Sequence, residues 1–351
     1  MKNLAAKTTE FISRISRILP IHETGQWEDY FQFCRPAVFR INTLRSSREE
    51  VSKLLVMNQL SYNRSGENPD VLVLSEPATL KNPSFQDMVN RGLLYQQGLS
   101  SLLVPLVMDP QPGERVLDLC AAPGSKATQI AALMQNQGEL VCVEAIRKRM
   151  YKLKAVADLL GVKIARFCLT DGRRYRDAEL FDRILVDAPC SSEGRIDWRD
   201  PCLARPPAGE VRPSGDLAAA IGEPRLGRAK PWAGRRVSTM AYWSLRKIQE
   251  MVRKQRGLVW NAFRLLQPGG VMVYSTCTFA PEENEGVINW LLEKAEGALE
   301  AAPVFLPEIP SYPTVMNWNS KFYHSQVKNC LRILPDQWRE GFFIVKLIKA
   351  G

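Results

Sequence analysis

The chain has 351 residues and 45% of them are hydrophobic, which excludes a predominantly disordered protein. That length accommodates two domains of ordinary size, or one large domain with an appendage. The formal net charge of +10 favours nucleic acid or another anionic surface as the partner, although a basic surface without such a role would carry the same charge.

The rest of the composition disfavours several classes of protein. No apolar run reaches the roughly 18 residues that cross a membrane, so we expect a cytoplasmic protein without a membrane partner. The 8 cysteines show no paired C-x-x-C spacing and there are only 2 histidines, so we expect reduced thiols and no metal site. We also expect a monomer.

Residues 1–20 are predicted to form an N-terminal amphipathic helix. Phe11, Ile15 and Leu19 recur with helical spacing among basic residues. A transit peptide has a similar pattern, but Glu10 and the lack of an apolar block favour an ordinary first helix.

Residues 21–98 are predicted to form a small α+β domain, because short strands and helices alternate there. The predicted elements are Val38–Asn42, Val51–Leu60, Val71–Leu74, Phe85–Arg91 and Leu93–Gln96, in the order strand, helix, strand, helix, strand. The polar patch Asn63–Pro69 is predicted to be a turn.

Residues 99–351 are predicted to form a second domain with a doubly wound, mostly parallel sheet. Its predicted parallel strands are Val116–Leu119, Leu140–Val143, Ile164–Cys168, Asp182–Val186 and Val271–Ser275. Helices are predicted at Ser100–Val107 and Ser244–Leu266. The segments Cys330–Leu334 and Gly341–Ile348 are predicted to form an antiparallel pair that closes one edge of the sheet.

One long segment, at about 201–239, interrupts this alternation. It is rich in proline, glycine and arginine and has no hydrophobic periodicity. A loop of that length is unusual inside a compact domain and indicates either a functional insertion or disorder.

A turn of small residues follows the first parallel strand, at residues 120–126. Small side chains let a ligand approach the backbone closely, and the helix that follows directs free N–H groups at it. The turn lacks G-x-G-x-x-G spacing, which disfavours a nicotinamide or flavin cofactor. Lys126 either counters a carboxylate of the site or lies at the surface, and Asp118 is expected to support the turn by accepting from backbone N–H groups.

Acidic residues follow the next two strands, where ligands of an open parallel sheet bind. Glu144 can accept from both hydroxyls of a ribose, or can be a solvated charge beside a helix start. Asp171 can accept from an adenine amino group, or can cap the turn at Gly172.

Two motifs place cysteines just beyond the two remaining central strands. They are Asp187-Ala-Pro-Cys-Ser-Ser-Glu-Gly194 and Ser275-Thr-Cys-Thr-Phe279. A single buried cysteine is usually a small hydrophobic residue, whereas two at one sheet edge, one close to Asp187, indicate chemistry. With the turn at 120–126, these motifs resemble the Sun-type RNA (cytosine-5) methyltransferases. The resemblance covers most of residues 36–351, including Phe39-Arg-Ile-Asn-Thr-Leu44 and Glu340-Gly-Phe-Phe343.

This resemblance implies a Rossmann-like class I methyltransferase fold with a seven-stranded sheet, preceded by a small RNA-binding domain of the ferredoxin or RRM kind. It implies S-adenosylmethionine as the cofactor and RNA as the partner, with ribosomal RNA expected first and transfer RNA second. The residues that it places around the cofactor are Cys120, Ala121, Ala122, Pro123, Gly124, Ser125, Lys126, Glu144, Arg149, Asp171 and Asp187.

The resemblance also implies a covalent mechanism. A thiolate at Cys277 adds to carbon 6 of cytosine, Cys190 assists product release, and Asp187 bonds the ring near nitrogen 3. Because a free thiol has a pKa of about 8.5, the site should lower that value or supply a base.

Two departures and two alternatives accompany this interpretation. The family commonly has glycine where Ser125 stands and aspartate where Glu144 stands.

A DNA cytosine-5 methyltransferase would use the cysteine after the fourth strand within Pro-Cys-Gln, whereas this chain has Pro189-Cys190-Ser191. A non-catalytic RNA-binding ribosome assembly factor with a methyltransferase fold is the other alternative.

Overall fold

The computed structural model describes residues 2–19, 31, 35–64, 68–74, 76–196, 243–306 and 308–351. The predicted insertion at 201–239 lies outside the described residues. Within the described ranges, no helix is long and apolar enough to cross a membrane.

The small antiparallel sheet has the β-α-β-β-α-β chain order of a ferredoxin-like unit. Its elements are β1 (Val38–Ile41), α2 (Arg48–Met57), β2 (Tyr62–Arg64), β3 (Val71–Leu74), α3 (Pro83–Asn90) and β4 (Leu94–Gln96), and they follow α1 (Lys2–Ile18). The strands lie side by side in the order β2-β3-β1-β4. The prediction of a turn throughout 63–69 was wrong at its start, because β2 extends to Arg64. This short edge strand is polar and largely exposed, so it lacks the apolar alternation that predicts a strand.

Both faces of the small sheet are covered. Phe39, Ile41 and Leu72 belong to a hydrophobic cluster with residues of α2 and α3. On the opposite face, Val38 and Val73 pack with residues of the helix that follows, α4 (Leu99–Met108). The alternation of side chains along each strand therefore supplies two apolar faces, and each face is closed by helices.

The large sheet is doubly wound, as predicted, and parallel at its centre. Its elements up to the break in the described chain are β5 (Arg115–Asp118), α5 (Ser125–Leu133), β6 (Glu139–Glu144), α6 (Arg147–Leu160), β7 (Ala165–Leu169) and β8 (Phe181–Asp187). The later elements are α7 (Leu245–Leu265), β9 (Leu266–Thr276), α8 (Glu285–Ala295), β10 (Leu299–Ala302), β11 (Ser311–Tyr312), β14 (Leu331–Ile333) and β15 (Phe342–Lys349). A separate two-residue hairpin consists of β12 (Asn317–Trp318) and β13 (Lys321–Phe322).

The order of strands is β11-β14-β15-β9-β8-β5-β6-β7, with β10 pairing to β15. The sheet thus has nine strands rather than the seven expected, because the short strands β10 and β11 are added. The antiparallel pair β14 and β15 is confirmed. It does not form the edge, however, because β11 lies outside β14.

Helices cover the two faces of the large sheet with separate hydrophobic clusters. One cluster contains Leu103, Ile130 and Leu153 from α4, α5 and α6. The other contains Leu258 from α7 and Ile288 from α8. Because β5, β6, β8 and β9 run parallel, their carboxyl ends lie along one edge of the sheet, where the loops that follow them meet.

The first helix, α1, packs against the loop that follows β9. Phe11 is fully buried and meets the Trp243 ring edge-on, with centroids 5.4 Å apart. Arg14 Nη2 lies 2.8 Å from Glu282 Oε2. The predicted amphipathic helix therefore uses its apolar stripe to cover residues that follow Cys277 in the chain.

Candidate active site

The turn between β5 and α5 is held by a buried carboxylate and requires one glycine. Asp118 Oδ1 accepts from the backbone N–H of Cys120 at 3.1 Å, which confirms the supporting role predicted for Asp118. Gly124 has a φ of +118°, and a Cβ there would meet Leu153 and Val156 at 3.2 Å. Burial raises the pKa of Asp118 to about 7 despite that bond to Cys120.

Asp187, at the end of β8, joins the turn to β9. Its Oδ2 lies 2.7 Å from Lys126 Nζ, and its Oδ1 accepts from Ser275 Oγ at 2.8 Å. Of the two readings of Lys126, the one in which it counters a carboxylate is therefore confirmed. The Asp187 side chain is still 31% exposed, so it can meet a ligand as well as these two neighbours.

Glu144 is buried at the end of β6 and is tied to the same turn through Arg149. Its Oε1 accepts from the backbone N–H of Ile146 at 2.8 Å, and its Oε2 lies 3.2 Å from Arg149 Nη1. The other terminal nitrogen of Arg149 donates to the carbonyl of Ala122 at 2.6 Å. Arg149 therefore connects the acid to the small-residue turn.

Asp171 lies close to Glu144, since the backbone N–H of Thr170 donates to the Glu144 carbonyl at 3.1 Å. The Asp171 carboxylate accepts from the backbone N–H of Arg173 at 2.9 Å and from its guanidinium. This bonding to the Arg173 side chain lowers the pKa of Asp171. The turn-capping alternative for Asp171 is thus realised, while its proposed contact with adenine stays a prediction.

These residues fit an adenosyl cofactor. Gly124 provides no side chain that could cap the first turn of α5, so N–H groups there remain for a ligand. Glu144 keeps acceptor sites beyond those used by Ile146 and Arg149. The turn at 120–126 and Glu144 are therefore compatible with S-adenosylmethionine, and the cofactor contacts predicted for them, for Arg149, for Asp171 and for Asp187 stay predictions.

The two cysteines predicted to carry the chemistry are in direct contact. Cys190 Sγ lies 3.3 Å from Cys277 Sγ, although 87 residues separate them in the chain. Ser192 Oγ lies 3.6 Å from Cys277 Sγ and 3.9 Å from Cys190 Sγ. Both cysteines are partly exposed, and the six cysteines within the described residues are all free thiols.

The surroundings favour the thiolate of Cys277 over that of Cys190. The hydrogen bond from Cys190 lowers the pKa of Cys277 to about 6, and the positive charge of Arg195 acts in the same direction against burial. The same bond, with burial, raises the pKa of Cys190 well above the ordinary value. Arg195 Nε lies 3.1 Å from Glu340 Oε2, so its guanidinium is held beside the thiols. The site thus lowers the thiol pKa, as the covalent mechanism requires.

Two glycines from distant motifs hold the cysteine loops together. Gly194 donates its backbone N–H to the Cys277 carbonyl at 2.9 Å. A Cβ at Gly194 would lie 2.3 Å from the Gly341 carbonyl oxygen, and one at Gly341 would lie 2.2 Å from the Phe279 ring. No larger residue fits at either position without a shift of the chain. The Glu340–Phe343 motif therefore contributes to the site by close backbone contact.

Two buried glutamates complete this scaffold. Glu193 accepts from Trp243 Nε1 at 2.7 Å and from the backbone N–H of Phe279 at 3.1 Å. Glu283 accepts from the backbone N–H of Ser191 at 3.1 Å and from Gln255 Nε2 at 2.7 Å, and burial raises its pKa to about 8. Each glutamate follows one cysteine in the chain and binds the loop that carries the other.

Comparison with known proteins decides the family. A family model described as 16S rRNA methyltransferase RsmB/F matches residues 105–207 and 236–348. The chain belongs to this family. It is therefore an S-adenosylmethionine-dependent RNA (cytosine-5)-methyltransferase with a Rossmann-like fold, as the resemblance implied.

Individual relatives of the RsmB/F family act on different RNAs. The chain is 34% identical over 329 residues to the tRNA (cytosine(49)-C(5))-methyltransferase of Pyrococcus abyssi, covering 92% of this chain and 91% of that protein. It is 30% identical over 361 residues to ribosomal RNA small subunit methyltransferase F of Escherichia coli, covering 97% of this chain but only 63% of that protein. A crystal structure of a methyltransferase homolog protein from Pyrococcus horikoshii shares 26% identity and a TM-score of 0.69, over 97% of this chain and 99% of that one.

Four residues of this RsmB/F site were missed by reasoning from the sequence. Ser192 and Glu193 stand inside the quoted Asp187–Gly194 motif, Arg195 follows it, and Glu283 follows Phe279 by four residues. Their proximity to the cysteines in the chain was the available signal. What the sequence did not provide was the contact between the two loops, which gives each of these side chains its partner.

Proposed function

We propose that this enzyme methylates carbon 5 of a cytosine in transfer RNA, through a covalent adduct between Cys277 and carbon 6 of the base. The observation that carries the mechanism is the contact of the two thiols at 3.3 Å, in which Cys190 stabilises the thiolate of Cys277. S-adenosylmethionine, held by the turn at 120–126 and by Glu144, supplies the methyl group.

Each side chain has one task in this proposal. The Cys277 thiolate forms the bond to carbon 6 while nitrogen 3 takes a proton from solvent water, and Asp187 accepts a hydrogen bond from the new N–H. After methyl transfer, solvent water takes the carbon-5 proton, the carbon–sulfur bond breaks to release the thiolate, and nitrogen 3 returns its proton to water, which restores the neutral aromatic ring. Cys190 is then placed to donate a hydrogen bond to Cys277 as it leaves as a thiolate.

The choice of transfer RNA rests on the relative that matches this chain in length, whose name specifies tRNA. Small-subunit ribosomal RNA is the second candidate, because the family model and the Escherichia coli relative are named for it. Ribosomal RNA was expected first alongside the resemblance, and relatives of both kinds leave that order untested.

Bisulfite sequencing of total RNA from cells with the active gene, without it, and with the Cys277→Ala gene tests the target. We expect one or a few methylated cytosines in tRNA that are absent in both controls. Methylation confined to small-subunit ribosomal RNA would replace the proposed target. A pattern unchanged by loss of the gene, in both RNAs, would contradict the proposal.

The two cysteines can be separated by the adducts that their variants form. Cys277→Ala should abolish methylation and form no adduct. Cys190→Ala should still add to the base and stall, giving a slow-migrating band that survives denaturant and disappears on RNase digestion. The reverse pattern would make Cys190 the nucleophile, as in the DNA cytosine-5 enzymes. Full activity of both variants would rule out thiol catalysis.

A further inference from the structure

The first two turns of α6 carry an exposed basic face that the catalytic mechanism does not use. Arg147, Lys148, Tyr151 and Lys152 recur at spacings of three and four residues, so they lie on one side of the helix. All four are exposed, and Tyr151 is 62% exposed. The opposite side of α6 is buried in the core through Met150 and Leu153.

The first two residues of this face, Arg147 and Lys148, are electrostatically unfavourable at the start of the folded helix. The start of a helix has a partial positive charge, yet the first turn of α6 contains three basic residues and no acidic one. Arg149 is compensated by Glu144. Within the described part of the chain, no carboxylate lies within ion-pair distance of Arg147 or Lys148, and the only acid of α6 is Asp158 near its far end.

The position of the face links it to the site. The helix α6 begins directly after Glu144, at the edge of the sheet where the cysteine loops meet. Arg149, in the first turn of the same helix, donates to the carbonyl of Ala122 in the loop at 120–126. The basic face and the cysteine loops therefore lie at the same edge of the sheet.

The chemistry of the face fits unpaired nucleotides. Cations beside an exposed aromatic ring allow phosphates to be neutralised while a base stacks on the ring. The β1 and β3 face of the small sheet, the surface that an RRM uses for stacking, is covered by α4. An RNA base therefore cannot stack on that covered face.

We propose that Arg147, Lys148, Tyr151 and Lys152 bind unpaired RNA next to the target cytosine, the cations holding phosphates and Tyr151 stacking on a base. This inference rests on the proposed RNA substrate and adds the surface that holds it. It applies to single-stranded or looped RNA, because a base within a duplex cannot stack on a side chain without leaving its pair.

Filter binding of the full chain to an unstructured RNA of about 12 nucleotides, across a series of salt concentrations, tests the inference. The double variant Arg147→Gln/Lys148→Gln should bind about tenfold more weakly and lower the salt slope by about 1 to 2. Tyr151→Leu should weaken binding about tenfold without changing the slope. Arg264→Gln/Lys328→Gln, which removes two exposed charges outside α6, is the matched control and should stay within about twofold of the original.

The outcomes separate this inference from the proposed function. Equal losses in the double variant and in the control pair would mean that only net charge matters, and would overturn the inference. So would a Tyr151→Leu variant that binds like the original protein. Calorimetry with S-adenosylmethionine should give unchanged affinity for the α6 variants, and a loss there would indicate a defect of the cofactor turn instead. Loss of RNA binding by the α6 variants alone would support the surface even if bisulfite mapping contradicted the proposed tRNA target.

Discussion

The two sheets of this enzyme have helices on both faces, but they differ in what their edges expose. The small sheet is closed by α2 and α3 on one face and by α4 on the other. The large sheet leaves Asp187 and the two cysteines partly exposed at the carboxyl ends of its central strands. The small sheet therefore supports its neighbour, whereas the catalytic groups lie at an edge of the large sheet.

Hydrogen bonds from Arg40 and Tyr95 of the small sheet to Thr128 and Ser125 of α5 form a polar seam, which supports this interpretation. Arg40 is buried in the small sheet and donates to Thr128 Oγ1 in α5 at 3.1 Å, and Thr128 Oγ1 donates to the Gly124 carbonyl at 2.8 Å. Tyr95 Oη lies 3.2 Å from Ser125 Oγ. The small sheet thus contacts the turn at 120–126 and the start of α5. RNA binding by residues 21–98 remains a prediction, and it would have to use surfaces other than this covered face.

The largest effect on the methylation rate in this series is expected from adding a side chain at Gly194, which lies against Gly341 beside the cysteine loops. Gly194→Ala puts a Cβ against the Gly341 carbonyl, so the loop with Cys190 must shift. A displacement of about 1 Å at reacting groups can lower the rate about a hundredfold. Single-turnover methylation measures this. Gly98→Ala, where a Cβ meets nothing within 4 Å, is the control and should keep the original rate.

The next effect concerns the thiol pair, through the pH dependence of alkylation by iodoacetamide. Only the thiolate reacts, so the alkylation rate of Cys277 should fall tenfold per pH unit below about 6 and level off above it. Cys190→Ala removes the hydrogen bond that contributes most to this lowering. The inflection should then move to higher pH, whereas an unchanged profile would show that Cys190 does not stabilise the thiolate.

A smaller effect, on the affinity for S-adenosylmethionine, is expected from replacing Glu144 or Asp171 at the same edge of the sheet. Glu144→Ala should weaken S-adenosylmethionine binding about tenfold, the usual value for a charge-assisted hydrogen bond pair. Asp171→Ala should weaken it less, because Arg173 already engages the Asp171 carboxylate. Calorimetry on both variants measures this, and unchanged affinity in both would remove these acids from the cofactor site.

The smallest effect is expected at the seam. Tyr95→Phe deletes the hydroxyl that meets Ser125 and should lower the free energy of unfolding by about 1 kcal/mol. Tyr62→Phe, in the edge strand β2 of the same sheet, is the matched control and should change it by less. If the two variants are equally stable in urea, the seam contributes nothing measurable.

Structure could be predicted from the sequence where the pattern of residues within one strand or one loop was sufficient. The parallel strands are buried apolar runs, and the turn at 120–126 and both cysteine motifs follow such runs directly. Prediction failed at β2, whose residues are polar, and at the start of β9, which was predicted at Val271 although the strand begins at Leu266. It also could not settle the role of Lys126, because the Asp187 partner lies 61 residues away and only the fold brings them together.

The position of β15 determines when the site can exist during protein synthesis. This strand pairs with β9 inside the sheet, and the Gly341 that precedes it presses on the loop of Cys190. A nascent chain that has left the ribosome only as far as residue 330 contains both thiols, the turn at 120–126 and every acid discussed above except Glu340. It still lacks the strand and the backbone contact that hold Cys277 in place. Catalytic competence should therefore require that β15 has left the ribosome, so that nascent chains without this strand do not modify RNA.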